Sequence, residues 1–258
     1  MKTIEERFSL AGRVALVTGG GSGFGARFAE VLAQAGASVA VAARRADRIQ
    51  SVAQAIIDRG GKAIACEMDV SDRTSISKAF DFIEDKLGTV DIAVNNAGQS
   101  SPAPFHEMTP VQWHSVLDVN LSGPYHVSQE MAQRLIAKKK PGSIINIASI
   151  LGKLAKDNFI NYGATKGALM NLTEYMALDL LPYGIRVNAL APGYFPSEMT
   201  NPFFESDVGK KEIAALPPKR LGRLEELDGP LLLLASEASS YINGTTLTVD
   251  YAHSVRLS

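Results

Sequence analysis

Short apolar runs recur along the chain, each followed by a segment with helical spacing of its apolar residues, and this alternation most limits the fold. Arg13–Thr18 is the first run and ends in glycines; Phe24–Ala35 follows with helical periodicity. Ser38–Ala43 precedes Ala46–Asp58, Ala63–Cys66 precedes Asp72–Lys86, and Asp91–Asn95 precedes a long helical segment predicted over Thr109–Lys138. Ser143–Ala148 precedes Asn161–Leu181, and Ile185–Leu190 and Thr246–Val249 complete seven expected strands. Nearly continuous apolar strands between amphipathic helices require a parallel sheet covered on both faces. Right-handed crossovers then give an α/β, doubly wound, Rossmann-type fold with a seven-stranded, mostly parallel sheet. Its ligand crevice lies at the carboxyl ends of the strands.

No Pro/Gly/Ser linker divides the 258 residues, so one domain is expected over 1–258. The least regular stretch, 192–218, is rich in proline and carries Phe203 and Phe204; its length points to a substrate-covering lid. Charge is balanced, with 26 basic and 27 acidic residues, so no basic excess supports nucleic-acid binding. Neither a signal peptide nor a bilayer-length apolar run is expected, since Leu231–Ala235 is far too short to span a membrane. The lone Cys66 has no internal disulfide partner, which fits a reducing cytoplasm. His106, His114, His126 and His253 form no spacing typical of a metal site.

After the first strand comes Thr18-Gly19-Gly20-Gly21-Ser22-Gly23-Phe24-Gly25, and a helix begins at once. Glycines let this backbone approach a pyrophosphate, and the helix start offers free N–H groups and the positive end of its dipole. A glycine-rich turn without a ligand is the alternative, which the position between strand and helix disfavours. At the end of the second strand Ala43 stands where an acidic ribose ligand is expected, and Arg44 and Arg45 follow. A guanidinium suits a 2′-phosphate, so NADP(H) is preferred and NAD(H) is possible. Two exposed arginines at a strand end remain the plain alternative.

The spacing of Thr18, Gly19, Gly23 and Gly25 resembles that of the short-chain dehydrogenase/reductase family. So do Asn95-Asn96-Ala97-Gly98, Asn120, Ser149, Tyr162-x-x-x-Lys166 and Pro192-Gly193, in that order along the chain. The resemblance implies a cofactor site built from Thr18, Gly19, Ser22, Gly23, Phe24, Gly25, Arg44, Arg45, Asp69, Val70, Asn96, Ala97, Gly98, Tyr162, Lys166, Pro192, Gly193 and Ser197. Asp69 would lie near the adenine and Ser197 near the carboxamide.

It also implies Asn120, Ser149, Tyr162 and Lys166 as the catalytic group. A free phenol titrates at about 10, and bringing it near neutrality takes roughly 4 kcal/mol of differential stabilisation. Lys166, four residues on and on the same helical face, and the positive charge of the oxidised nicotinamide are the expected sources. Tyr162 would then exchange a proton with the substrate oxygen, Ser149 would hydrogen-bond that oxygen, and Asn120 would order a water toward Lys166. The expected substrate is a small-molecule carbonyl or alcohol. Leu151, Lys153, Leu154, Phe159, Met199, Phe203 and Phe204 are pocket candidates, with core packing as the alternative for the last three.

The family is usually oligomeric, so a homotetramer or dimer is implied. Relatives often read Val-Asp-Gly-Gly where this chain reads Val249-Asp250-Tyr251-Ala252, and Tyr251 is expected to perturb an interface or the nearby pocket. Two other functions stay open, an NAD-dependent polyol or hydroxy-acid dehydrogenase and a catalytically silent nucleotide-binding regulator.

Overall fold

The structure is a computed structural model in which residues 2–197 and 201–255 are described. In chain order the regular elements are α1 (Ile4–Phe8), β1 (Val14–Thr18), α2 (Gly23–Gln34), β2 (Ser38–Ala43), α3 (Ala46–Asp58), β3 (Lys62–Glu67) and α4 (Arg73–Lys86). Then come β4 (Ile92–Asn95), α5 (Pro110–Leu117), α6 (Gly123–Ala137), β5 (Gly142–Ile147), α7 (Ile160–Leu180) and β6 (Ile185–Pro192). The chain continues through α8 (Asn201–Phe204), α9 (Asp207–Ala215), α10 (Asp228–Ala235) and β7 (Thr246–Val249).

The strands form one sheet in the order β3-β2-β1-β4-β5-β6-β7. Every pairing in it is parallel, so the sheet is wholly parallel rather than mostly so. Both faces of a parallel sheet must be covered, and the burial shows how. Phe28 and Leu32 of α2, Ile49 and Ile56 of α3, and Leu231 and Leu234 of α10 pack one face. Phe80 and Ile83 of α4, Val127, Met131 and Leu135 of α6, and Ala177 of α7 pack the other. Strand order reverses between β1 and β4, and their carboxyl ends open the crevice at this Rossmann switch point.

Two expectations need correction. The helix expected over Thr109–Lys138 is interrupted by a five-residue π-helical turn, Asp118–Ser122, between α5 and α6. Pro124 explains the interruption: it has no N–H to offer the carbonyl four residues back, that of Asn120, and its ring crowds that carbonyl. The 192–218 stretch is also more regular than expected, since it contains α8 and α9. Ser206 caps α9 by accepting from the Gly209 N–H. Met199 lies outside the described residues.

Candidate active site

Glycine in the first turn answers to close approach. Gly19 and Gly23 have φ of 63° and 53°, in the left-handed region. A Cβ on Gly25 would stand 2.2 Å from the Gly19 carbonyl oxygen, and one on Gly19 would stand 2.8 Å from Ala97 Cα. The turn is thereby pressed onto the end of β4. Asn96 Nδ2 donates to the carbonyls of Thr18 (2.9 Å) and Gly19 (3.2 Å). The Thr18 hydroxyl accepts from the backbone N–H groups of Asn96 (3.0 Å) and Ala97 (3.1 Å). The side chains of Thr18 and Asn96 thus hold the turn in shape. Helix α2 then starts at Gly23 behind an extended Ser22 that provides no side-chain cap, so its first N–H groups face the crevice mouth uncapped. Phe24 points elsewhere, onto Phe28 and edge-on to Phe195, with ring centroids 5.9 and 5.6 Å away.

Arg44 and Arg45 are exposed at the end of β2, and Arg45 occupies the cap position of α3. Arg48, which the sequence reading passed over, joins them. A Cβ on Gly21 would stand 3.0 Å from Arg48 Cβ, which puts the first turn of α3 beside the glycine turn. Its place in the first turn of the helix that follows Arg44 and Arg45 was the signal that could have found it. Asp69 Oδ1 accepts from the Ser71 hydroxyl (2.6 Å) and backbone N–H (2.9 Å). That hydroxyl holds the Asp69 carboxyl below its ordinary range, burial opposes, and the charge of Arg44 adds to the lowering. Val70 is buried against Gly123.

The catalytic candidates come together beyond β4 and β5. Ser149 follows β5, is almost fully buried, and accepts from the Leu151 N–H at 3.2 Å. Its side chain lies beside the Tyr162 phenol. Burial pushes that phenol's pKa up and the Ser149 contact opposes the rise. Lys166 is buried as well; its Nζ donates to the Ile147 carbonyl at 2.7 Å and lies 5.5 Å from the Tyr162 ring centroid. Desolvation lowers its pKa to about 8. In the protein alone, burial therefore dominates the phenol.

Asn120 is fully buried within the π-helical turn. Its Oδ1 accepts from the Gln99 N–H and its Nδ2 donates to the Gln99 carbonyl, both at 2.9 Å. That side chain is committed to the loop after β4, and its main-chain carbonyl is the group that Pro124 leaves without an α-helical donor. Gly98 separates the two groups: a Cβ there would stand 3.5 Å from Asn120 Oδ1 and 3.7 Å from Lys166 Nζ.

The far wall is formed after β6. The Gly193 N–H donates to the Val249 carbonyl (2.9 Å), and a Cβ on Gly193 would strike Asp250 Cβ at 2.7 Å. Ser197 Cβ is 4.0 Å from where a Cβ on Gly23 would stand, so it faces the glycine turn across the crevice. Lys153 reaches toward Thr248, at 3.5 Å. Lys156 and Tyr194 were missed by the sequence reading, and no periodicity marked them. Lys156 Nζ pairs with Glu212 of α9 at 2.6 Å and donates to the Tyr194 hydroxyl at 3.2 Å. Phe204 is buried against Tyr194, while Phe203 is partly exposed. Tyr251 lines a cavity with Tyr194, Phe195, Arg220 and His253.

Comparisons with known proteins agree with this geometry. The family model described as short chain dehydrogenase matches residues 13–207. Gluconate 5-dehydrogenase of Gluconobacter oxydans is 38% identical over 255 residues, covering 97% of this chain and 98% of that protein. The 3-oxoacyl-[acyl-carrier-protein] reductase of Aquifex aeolicus is 37% identical over 242 residues, covering 93% of this chain and 97% of the relative. Among solved structures, a gluconate 5-dehydrogenase from Burkholderia cenocepacia in complex with NADP and tartrate superposes with a TM-score of 0.94. It is 38% identical and covers 99% of this chain and 100% of its own.

Proposed function

This chain belongs to the short chain dehydrogenase family, an oxidoreductase family acting on CH–OH and C=O groups, and we propose that it interconverts a ketone and a secondary alcohol with NADP(H), Tyr162 being the general acid and base. The observation that carries the reading is the convergence of Ser149, Tyr162 and the Lys166 ammonium, which lies 5.5 Å from the phenol ring, at the strand ends beside the glycine turn.

The residues fit a dinucleotide phosphate because Gly19 and Gly25 leave no room for side chains and the start of α2 is uncapped. Gly19 to Gly25, with Ser22, Gly23 and Phe24 contributing backbone N–H groups, would hold the pyrophosphate, while Thr18 and Asn96 keep the turn in shape. Arg44, Arg45 and Arg48 would hold the 2′-phosphate, and Asp69 and Val70 would border the adenine. Ala97, Gly98, Pro192, Gly193 and Ser197 would line the nicotinamide end. When bound, the cofactor supplies or takes up the hydride at the substrate carbon. The relative solved with NADP supports this choice of cofactor.

In the reducing direction Tyr162 gives its phenolic proton to the carbonyl oxygen, and the Ser149 O–H donates to the same oxygen. In oxidation Tyr162 takes the alcohol proton. Lys166 would turn from the Ile147 carbonyl to the nicotinamide ribose, holding its positive charge beside the phenolate. Segment 192–218 is the proposed lid over a single domain. Tyr175 and Leu178 of α7 are 64% and 70% exposed, three residues apart on one helix, and this apolar stripe suits packing against further copies of the chain. Sedimentation should give a dimer or tetramer; a monomer at micromolar concentration contradicts that part.

Reaction rates with NADPH and NADH across ketones, followed by loss of reduced-nicotinamide absorbance, test the cofactor assignment. A higher kcat/KM with NADPH is expected. A clear NADH preference would favour the NAD-dependent polyol or hydroxy-acid dehydrogenase, and no turnover with either would favour a nucleotide-binding regulator.

A further inference from the structure

Lys156 occupies an unusual place. It lies in the loop between Ser149 and Tyr162, yet its ammonium points to the lid segment, pairing with Glu212 on α9 at 2.6 Å. The two side chains are 26% and 28% exposed, too dry for an ordinary surface pair and too wet for a core one. Three aromatic rings surround the ammonium, with centroids 4.8 Å (Phe203), 5.0 Å (Tyr194) and 5.8 Å (Phe159) away. The Tyr194 hydroxyl accepts from it at 3.2 Å. The hydrogen bonds from Glu212 and Tyr194 outweigh burial, so the lysine's pKa is raised and it stays charged.

Two steps link this cation to the proposed chemistry. Its ammonium is 5.8 Å from the Phe159 ring, and that ring meets Tyr162 edge-on at 6.5 Å. Tyr194 stands two residues past the end of β6, on the wall of the same crevice. Phe159 thus stands between the ammonium and the Tyr162 ring, along the line a substrate chain extending from Tyr162 toward Lys156 would follow.

We propose that Lys156 and the Tyr194 hydroxyl recognise the carboxylate of a hydroxy- or keto-acid substrate, and that Glu212 is the internal carboxylate this group displaces. The exchange is balanced in charge, since one carboxylate replaces another on the same ammonium, and the aromatic rings keep the cation in place meanwhile. Releasing Glu212 also frees α9, so arrival of an anionic substrate is coupled to the position of that helix. The assignment deepens the proposed function and rests on its placing the reacting carbon at Tyr162. The names of two relatives accord with it, because gluconate and tartrate are hydroxy-acids.

The test compares binding, by calorimetry on the NADPH-saturated enzyme, of gluconate and of glucitol, its uncharged polyol counterpart. Lys156→Met should weaken gluconate by roughly tenfold or more, the loss of one charged hydrogen bond, and leave glucitol unchanged. Glu212→Gln should tighten gluconate, because the internal competitor is gone, and again spare glucitol. A Lys156 that merely latches α9 predicts equal effects on both ligands, and a weaker gluconate complex in Glu212→Gln; either result overturns the proposal. Because binding is read without turnover, a catalytically intact Tyr162→Phe enzyme would refute the acid–base assignment while leaving this outcome readable.

Discussion

Lys166 follows Tyr162 by one turn of α7, and its buried ammonium lies 5.5 Å from the centroid of the phenol ring. Without cofactor the two groups are in opposition to water rather than in partnership: burial raises the pKa of the phenol and lowers that of the ammonium. Both shifts disfavour charge.

This burial costs stability, which gives the first prediction. The Lys166 pKa falls from 10.5 to about 8, so between those values the unfolded chain binds more protons than the folded one. The folded state is penalised in full below pH 8, and the penalty fades as pH rises toward 10.5. At 1.36 kcal/mol per pH unit the penalty is about 3 kcal/mol. Lys166→Met removes it but leaves the Ile147 carbonyl without its donor, for a net gain of roughly 1–2 kcal/mol. Denaturant melts should show the variant more stable at pH 7, with the gap narrowing from pH 8 to 10.5; a gap constant with pH contradicts the account.

Pro124 shapes the position of Asn120. Pro124→Ala restores an N–H opposite the Asn120 carbonyl and allows the α-helix to close over the π-helical turn. Stability should hold or rise while kcat falls on the order of tenfold to a hundredfold, as the loop held by Asn120 shifts. Unchanged kcat, with the melting temperature also unchanged, counts against a role for the turn.

On the proposed assignment the three arginines near the glycine turn divide 2′-phosphate binding. Arg44→Ala and Arg48→Ala should each raise the KM for NADPH by roughly tenfold, one charged hydrogen bond apiece, with little effect on NADH. Equal losses for the two cofactors would mean that these side chains support the fold of α3 rather than read the 2′-phosphate.

Tyr251 and Ala252 have φ of 51° and 67°, a conformation that favours glycine. Ala252→Gly should therefore stabilise the protein by about 1 kcal/mol, a few degrees in Tm. Tyr251→Gly should gain less, because the Tyr251 ring lies 5.5 Å from the Arg220 guanidinium and that contact is lost. Thermal melts of both variants check the order; a destabilised Ala252→Gly contradicts the strain argument.

The strands were legible because buried parallel strands are continuous apolar runs, and β1, β2 and β5 match their expected ranges within one residue. The glycine turn was legible for a steric reason, that only glycine fits where Gly25 meets Gly19. The π-helical turn was written in Pro124 yet hidden by the unbroken apolar periodicity on both sides of it. Lys156, Glu212 and Tyr194 were out of reach, because their meeting depends on how α9 folds back over the crevice. No local pattern encodes that. Asn120 shows a subtler limit: its position in the site was legible, but not that its amide would be committed to Gln99.

Whether Tyr162 exchanges the proton with the substrate oxygen is decided by Tyr162→Phe, with turnover and NADPH binding measured on the same preparation. An acid–base role for Tyr162 predicts a kcat lower by a factor on the order of a hundred or more, with the NADPH dissociation constant essentially unchanged. Turnover within a fewfold of the native enzyme would contradict it.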